Sequence, residues 1–90
     1  MMNKVRIYSI ENCPYCKELK DRLINLSIPF DDINVDLKEH ENEYEKIAKI
    51  TKSDQVPITK VGKRLLVPNI SFKSIEECSL LIKKLLEESE

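Results

Sequence analysis

The sequence predicts an α/β domain of element order βαβαββα, a four-stranded mixed sheet flanked by three helices, and three observations carry that prediction. A short run of β-formers, Val5-Arg6-Ile7-Tyr8-Ser9-Ile10, leads into a segment whose apolar residues recur at helical spacing. Two later segments, Tyr44–Thr51 and Ile75–Leu86, show the same helical recurrence. Between those segments, two strand-like stretches meet at Gly62, the single glycine of the chain.

Each element has a local reason. In the first helix Cys16, Leu19, Leu23 and Leu26, with Ile24 beside them, form the apolar side, while Lys17, Glu18, Lys20, Asp21 and Arg22 cover the other. Pro14 suits its first turn, where a missing N–H costs nothing, which puts Asn12 or Cys13 at the N-cap. The helix must stop before Ile28-Pro29, because a residue preceding proline is driven to extended geometry. Phe30, Ile33 and Val35 then give a second strand. Tyr44, Ile47, Ala48 and Thr51 mark a second helix, starting between Lys38 and Asn42, with Glu41, Glu43 and Glu45 at its positive end. Val56–Val61 and Arg64–Val67 read as a hairpin around Gly62-Lys63. Ser74-Ile75-Glu76-Glu77 is a capping-box pattern, and Ile75, Cys78, Ile82, Leu85 and Leu86 supply the buried side of a last helix. A β-α-β opening implies a parallel strand pair with a right-handed crossover, so the hairpin makes the sheet mixed.

Ninety residues, 41% hydrophobic and 34% charged, suffice for one small core and not for two, and no linker or repeat divides residues 1–90. Fifteen basic against sixteen acidic residues leave a net charge of −1, which offers nucleic acid or an acidic membrane no electrostatic footprint. Apolar runs such as Leu80-Leu81-Ile82 fall far short of the roughly 20 residues a membrane span needs. Ser9, Glu11 and Asn12 interrupt any signal-peptide core. A cytoplasmic monomer is the expectation.

The three cysteines are an odd number in a chain without a secretory signal, which argues against a disulfide scaffold. Cys13 and Cys16 form a Cys-x-x-Cys where a strand passes into a helix. There the first sulfur meets unpaired backbone N–H groups and the positive end of the helix dipole, both of which favour thiolate. Such placement lowers a cysteine pKa from about 8.5 to between about 3.5 and 7.5. Cys13 is therefore the expected exposed nucleophile, and Cys16, one turn further in, the more buried thiol that resolves a mixed disulfide. Val56-Pro57, at the start of the hairpin, is the second notable feature, since proline cannot donate to a strand ladder.

These residues together resemble the glutaredoxin family of the thioredoxin-like fold. Cys13-Pro14-Tyr15-Cys16 matches that family's dithiol motif letter for letter, and Val56-Pro57 matches its cis-proline loop. The resemblance implies Cys13 as nucleophile, Cys16 as resolving thiol and the pair as a redox disulfide, with Tyr15 flanking the substrate groove. It implies Val56 as backbone partner of the incoming thiol, beside Gln55, and Pro57 as a cis-proline facing the dithiol. Lys52 is a candidate partner for a substrate carboxylate. The implied function is thiol–disulfide exchange on protein disulfides and glutathione mixed disulfides, with glutathione as reductant and no metal.

The sequence departs from that family's pattern at three places. Ile10 stands where the family usually has lysine, next to an acidic Glu11, and Gln55 stands where it usually has threonine. Leu66-Val67-Pro68-Asn69 replaces the Gly-Gly-acid segment that holds the γ-glutamyl end of glutathione, and Pro68 removes a backbone donor. Asn69-Ile70-Ser71-Phe72-Lys73 is loosely similar to glutaredoxin-like proteins that take electrons from thioredoxin reductase and pass them to ribonucleotide reductase. An alternative of another class is an iron–sulfur module using Cys13 and glutathione across a dimer. A zinc site would have to recruit Cys78 and His40, but Cys78 falls on the apolar stripe of the last helix, where a small buried hydrophobe is the ordinary explanation, and His40 sits in a solvated helix turn.

Overall fold

The computed structural model describes residues 4–53 and 55–88. The elements are β1 (Val5–Ser9), α1 (Pro14–Asn25), β2 (Asp31–Asn34), a 3₁₀ turn (Lys38–His40), α2 (Glu41–Thr51), β3 (Ile58–Val61), β4 (Arg64–Leu66) and α3 (Ile75–Glu88). The sheet order is β2-β1-β3-β4. β1 runs parallel to β2, antiparallel to β3, and β3 antiparallel to β4. The mixed four-stranded sheet with three helices is the expected architecture.

Side-chain alternation along β1 sorts the core into two layers. Val5 and Ile7 join Leu19 and Leu23 of α1 and Ile75, Cys78 and Ile82 of α3 on one face. Tyr8 joins Ile33, Ile58 and Ile47 of α2 on the other. Helices α1 and α3 thus cover one side and α2 the opposite one. Each layer is also held by charge. Lys20 Nζ of α1 and Ser9 Oγ of β1 both donate to Asp32 of β2, at 3.0 and 2.7 Å. Across the sheet Arg6 meets Glu43 of α2 at 3.1 Å, and the buried Tyr8 hydroxyl donates to the same carboxylate.

Helix boundaries follow local chemistry. α1 ends in a Schellman motif: Ser27 takes φ 59°, the Ile28 N–H donates to Leu23 O at 2.9 Å, and the Ser27 N–H donates to Ile24 O at 3.0 Å. Leu26 is therefore the C-cap, 40% exposed, and Ile24 is 63% exposed, so neither belongs to the buried stripe. Phe30 and Val35 flank β2, each packing against one core layer, and the Val35 N–H still donates to Ser9 O of β1 at 2.9 Å. β3 begins at Ile58 instead of Val56, since Pro57 has no N–H to give the ladder. Gly62 adopts φ 60° in the two-residue turn between Val61 and Arg64, a backbone region that residues with a Cβ rarely occupy. At the head of α3 Ser74 Oγ accepts from the Glu77 N–H at 3.1 Å, the forward half of the anticipated capping box.

Candidate active site

The parallel β1 strand ends at Ser9, and a turn through Asn12, at φ 60°, delivers the chain into α1. Cys13 is the N-cap residue, with extended backbone, and Pro14 occupies the first turn as anticipated. In the usual N-cap a side-chain oxygen accepts from an orphaned N–H of the first turn; here Cys13 Sγ takes that place, accepting from the Cys16 N–H at 3.2 Å. The sulfur thus sits at a site built for partial negative charge. Cys13 and Cys16 are joined as a disulfide, their Cα atoms 5.2 Å apart. The two differ in access: Cys16 is 1% exposed beneath the helix, whereas Cys13 is half-buried at its tip.

The Val56–Pro57 peptide bond is cis. Pro57 is fully buried and Val56 half-buried. Both line a groove of about 510 Å³, together with Tyr15 and Gln55. Tyr15 is 65% exposed and forms its rim on the dithiol side. Four of the expected site residues therefore come together around one open groove; Cys13 and Cys16 are not among its lining residues, and Tyr15, between them in sequence, connects the groove to the pair. Lys52 does not join them: it is the exposed, left-handed C-cap of α2 at φ 56° and is absent from the groove lining.

The far wall of the groove joins the segment that departs from the family's pattern at Pro68 and Asn69 to the start of the last helix, neither of which was among the expected site residues. Pro68, Asn69, Phe72 and Lys73 line it, with Ser74 and Ile75 at the head of α3. A tight turn shapes this wall. The Ile70 and Ser71 N–H groups donate to Val67 O at 3.1 and 2.8 Å, Ser71 Oγ accepts from the Val67 N–H, and the Asn69 N–H donates to Phe72 O. Asn69, at φ 65°, extends its amide so that Nδ2 donates to Gln55 Oε1 at 3.0 Å. This bond closes one side of the groove by linking the turn to the cis-proline loop. No carboxylate lines the groove among the described residues.

The third cysteine stands apart. Cys78 is a free thiol, fully buried in the layer between sheet and α3. Burial pushes it up to about 12, with Glu77 adding to the rise and the neighbouring Thr59 hydroxyl opposing it. No group of three or more His, Cys, Asp or Glu side chains placed to hold a metal occurs among the described residues. No helix among them is long and apolar enough to cross a membrane.

A close cysteine pair at the strand-to-helix junction of this mixed sheet defines a class, the thioredoxin-like thiol–disulfide oxidoreductases. Within it, the chain belongs to the glutaredoxin family, whose family model matches residues 5–66. It is 34% identical over 65 residues to a glutaredoxin-like 8.6 kDa protein of the rubredoxin operon of Clostridium pasteurianum, covering 70% of this chain and 81% of the relative. The glutaredoxin grx-1 of Archaeoglobus fulgidus superposes with a TM-score of 0.69 at 25% identity, over 94% of this chain and 87% of that one. A buckwheat glutaredoxin in complex with glutathione has the same fold, with a TM-score of 0.73 at 16% identity over 96% and 78% of the two chains.

Proposed function

We propose that the protein is a dithiol disulfide reductase in which Cys13 attacks and Cys16 resolves, with protein disulfides and glutathione mixed disulfides as substrates. The Cys16 N–H aimed at Cys13 Sγ from 3.2 Å is the observation that carries this reading, because the same donor would stabilise a Cys13 thiolate. The Cys13 thiolate attacks one substrate sulfur, the substrate S–S bond breaks, and its other sulfur departs as a thiolate. Cys16, having lost its proton, then attacks Cys13 Sγ. That releases the second substrate thiolate and leaves the Cys13–Cys16 disulfide, the oxidised end of the cycle. The groove beside the dithiol gives the substrate a seat, with Tyr15 as an apolar wall with a polar tip and Val56 as a source of backbone hydrogen bonds to an extended chain.

Two glutathione thiols close the cycle, the first opening the disulfide at Cys13 and the second displacing it as oxidised glutathione. Family membership and the glutathione-bound buckwheat relative support glutathione as the reductant. A specific observation weighs against glutathione and so supports a second donor, thioredoxin reductase, to which the sequence likeness of Asn69-Ile70-Ser71-Phe72-Lys73 adds ribonucleotide reductase as a recipient. Among the described residues the groove offers no carboxylate to the α-ammonium of a γ-glutamyl group, and Pro68 has no N–H for its carboxylate. The reading includes a monomer working in the cytoplasm, where a reducing glutathione pool keeps such a dithiol turning over.

The test follows NADPH consumption on a disulfide substrate with either glutathione plus glutathione reductase or thioredoxin reductase alone. Turnover with glutathione supports the first reading, and turnover only with thioredoxin reductase supports the second. No turnover with either contradicts both.

A further inference from the structure

The groove's charge is one-sided. Of its described lining residues only Lys73 is charged, and it stands on the far wall, exposed and without an ion-pair partner among the described residues. The acids that follow it in sequence are not among the groove's lining residues: Glu76 and Glu77, with Leu80 and Lys84, line a neighbouring hollow that shares Ser74 with it. A lysine at the edge of a substrate groove, with no carboxylate paired to it among the described residues, is free to meet a carboxylate on the substrate.

The neighbouring amides narrow the choice further. Asn69 Nδ2 is committed to Gln55 Oε1, which leaves Asn69 Oδ1 as an acceptor and Gln55 Nε2 as a donor on adjoining side chains. A donor beside an acceptor complements a backbone peptide group, which offers both a C=O and an N–H. A γ-glutamyl terminus presents an α-ammonium beside its carboxylate, and that ammonium finds no acid among the described residues of the groove. An aspartate or glutamate side chain on an extended protein segment brings the carboxylate without the ammonium.

Resting on the reductase reading above, we propose that Lys73, with the Gln55–Asn69 pair, makes this groove selective for protein disulfides whose cysteine lies in an extended, acidic segment. The preference is modest, about 3- to 5-fold between acidic and neutral segments, the range that a solvent-exposed ion pair supports. It shrinks as salt is raised, because screening at 1 M cuts the Debye length to about 3 Å.

The experiment is a single-turnover one, with pre-reduced protein mixed with three peptides that each carry one cysteine as a neutral 2-pyridyl disulfide. The residues flanking the cysteine are aspartate, asparagine or lysine, and release of 2-thiopyridone reports attack by Cys13. The expected order is aspartate, asparagine, lysine, compressed at high salt, levelled in Lys73→Gln and inverted in Lys73→Glu. Equal rates for the three peptides, or an order that survives Lys73→Glu, would overturn the proposal. So would a glutathionyl pyridyl disulfide that outpaces the acidic peptide and loses its advantage in Lys73→Glu, which would assign the lysine to a small thiol. A failure of the reductase reading looks different: no thiopyridone is released from any of the disulfides.

Discussion

The Cys16 backbone N–H lies 3.2 Å from Cys13 Sγ, so the first turn of α1 hands to a sulfur the donor that a helix normally gives to a serine or aspartate cap. The same turn buries Cys16 to 1% exposure while leaving Cys13 at the helix tip. One piece of backbone geometry therefore separates the two thiols in access and in charge stabilisation. In the reduced protein, alkylation by iodoacetamide at neutral pH is expected to mark Cys13 at least about tenfold faster than Cys16, since reactivity follows thiolate character and exposure. Mass spectrometry of the modified peptides checks this.

Cys78 takes no part. Burial raises its thiol to about 12, so at pH 8 it stays protonated and shielded between sheet and α3. Labelling of the reduced native protein should stop at Cys13 and Cys16, and Cys78 should react only once denaturant is added. Cys78→Ala should keep the redox cycle and lose roughly 1 kcal/mol, about the value of one buried methylene.

Tyr8 gives the fold an alkaline limit. Burial, reinforced by the Glu43 carboxylate that its hydroxyl donates to, raises it from 10.0 to about 12, and Cys78 rises from 9.0 to about 12. Between pH 9 and 12 the unfolded chain releases protons that the folded chain retains, so these groups' contribution to stability is full below pH 9 and lost as pH climbs towards 12. Urea midpoints are expected to fall steadily over that interval. Tyr8→Phe should flatten the slope while costing about 1 kcal/mol at pH 7 through the lost hydrogen bond.

Tyr15 is the groove's exposed wall, so its contribution is to binding rather than to the sulfur chemistry. Tyr15→Ala should raise KM for a peptide disulfide by roughly fivefold with kcat nearly unchanged, the pattern of lost uniform binding. Steady-state kinetics on one disulfide peptide separates the two parameters.

What the sequence made legible is what short-range chemistry encodes. Pro14 and Pro29 bracketed α1, Gly62 marked the hairpin and Ser74 the head of α3, each through a conformational restriction acting within a few residues. The cysteine pair and the cis bond before Pro57 were expected from a motif, and the structure has both. Long-range polar pairs were not legible. Arg6 with Glu43 lies 37 positions apart, Ser9 with Asp32 23, and Asn69 with Gln55 14, and no periodicity links such partners. The groove's far wall escaped for the same reason, since Lys73 becomes a groove residue only when the turn at Val67–Ser71 folds back towards Gln55. Lys52 failed to join the groove because α2 ends at Thr51 in a left-handed cap exposed to solvent.

The division of labour between the two sulfurs is tested most directly by trapping. Reduced Cys16→Ser protein is mixed with a peptide disulfide and analysed intact and after digestion by mass spectrometry without reductant. The account predicts a stable adduct of one peptide per chain, attached at Cys13, and no further release of the bound peptide. An adduct at Cys78, or no adduct while the unmutated protein cleaves the same disulfide, would contradict it.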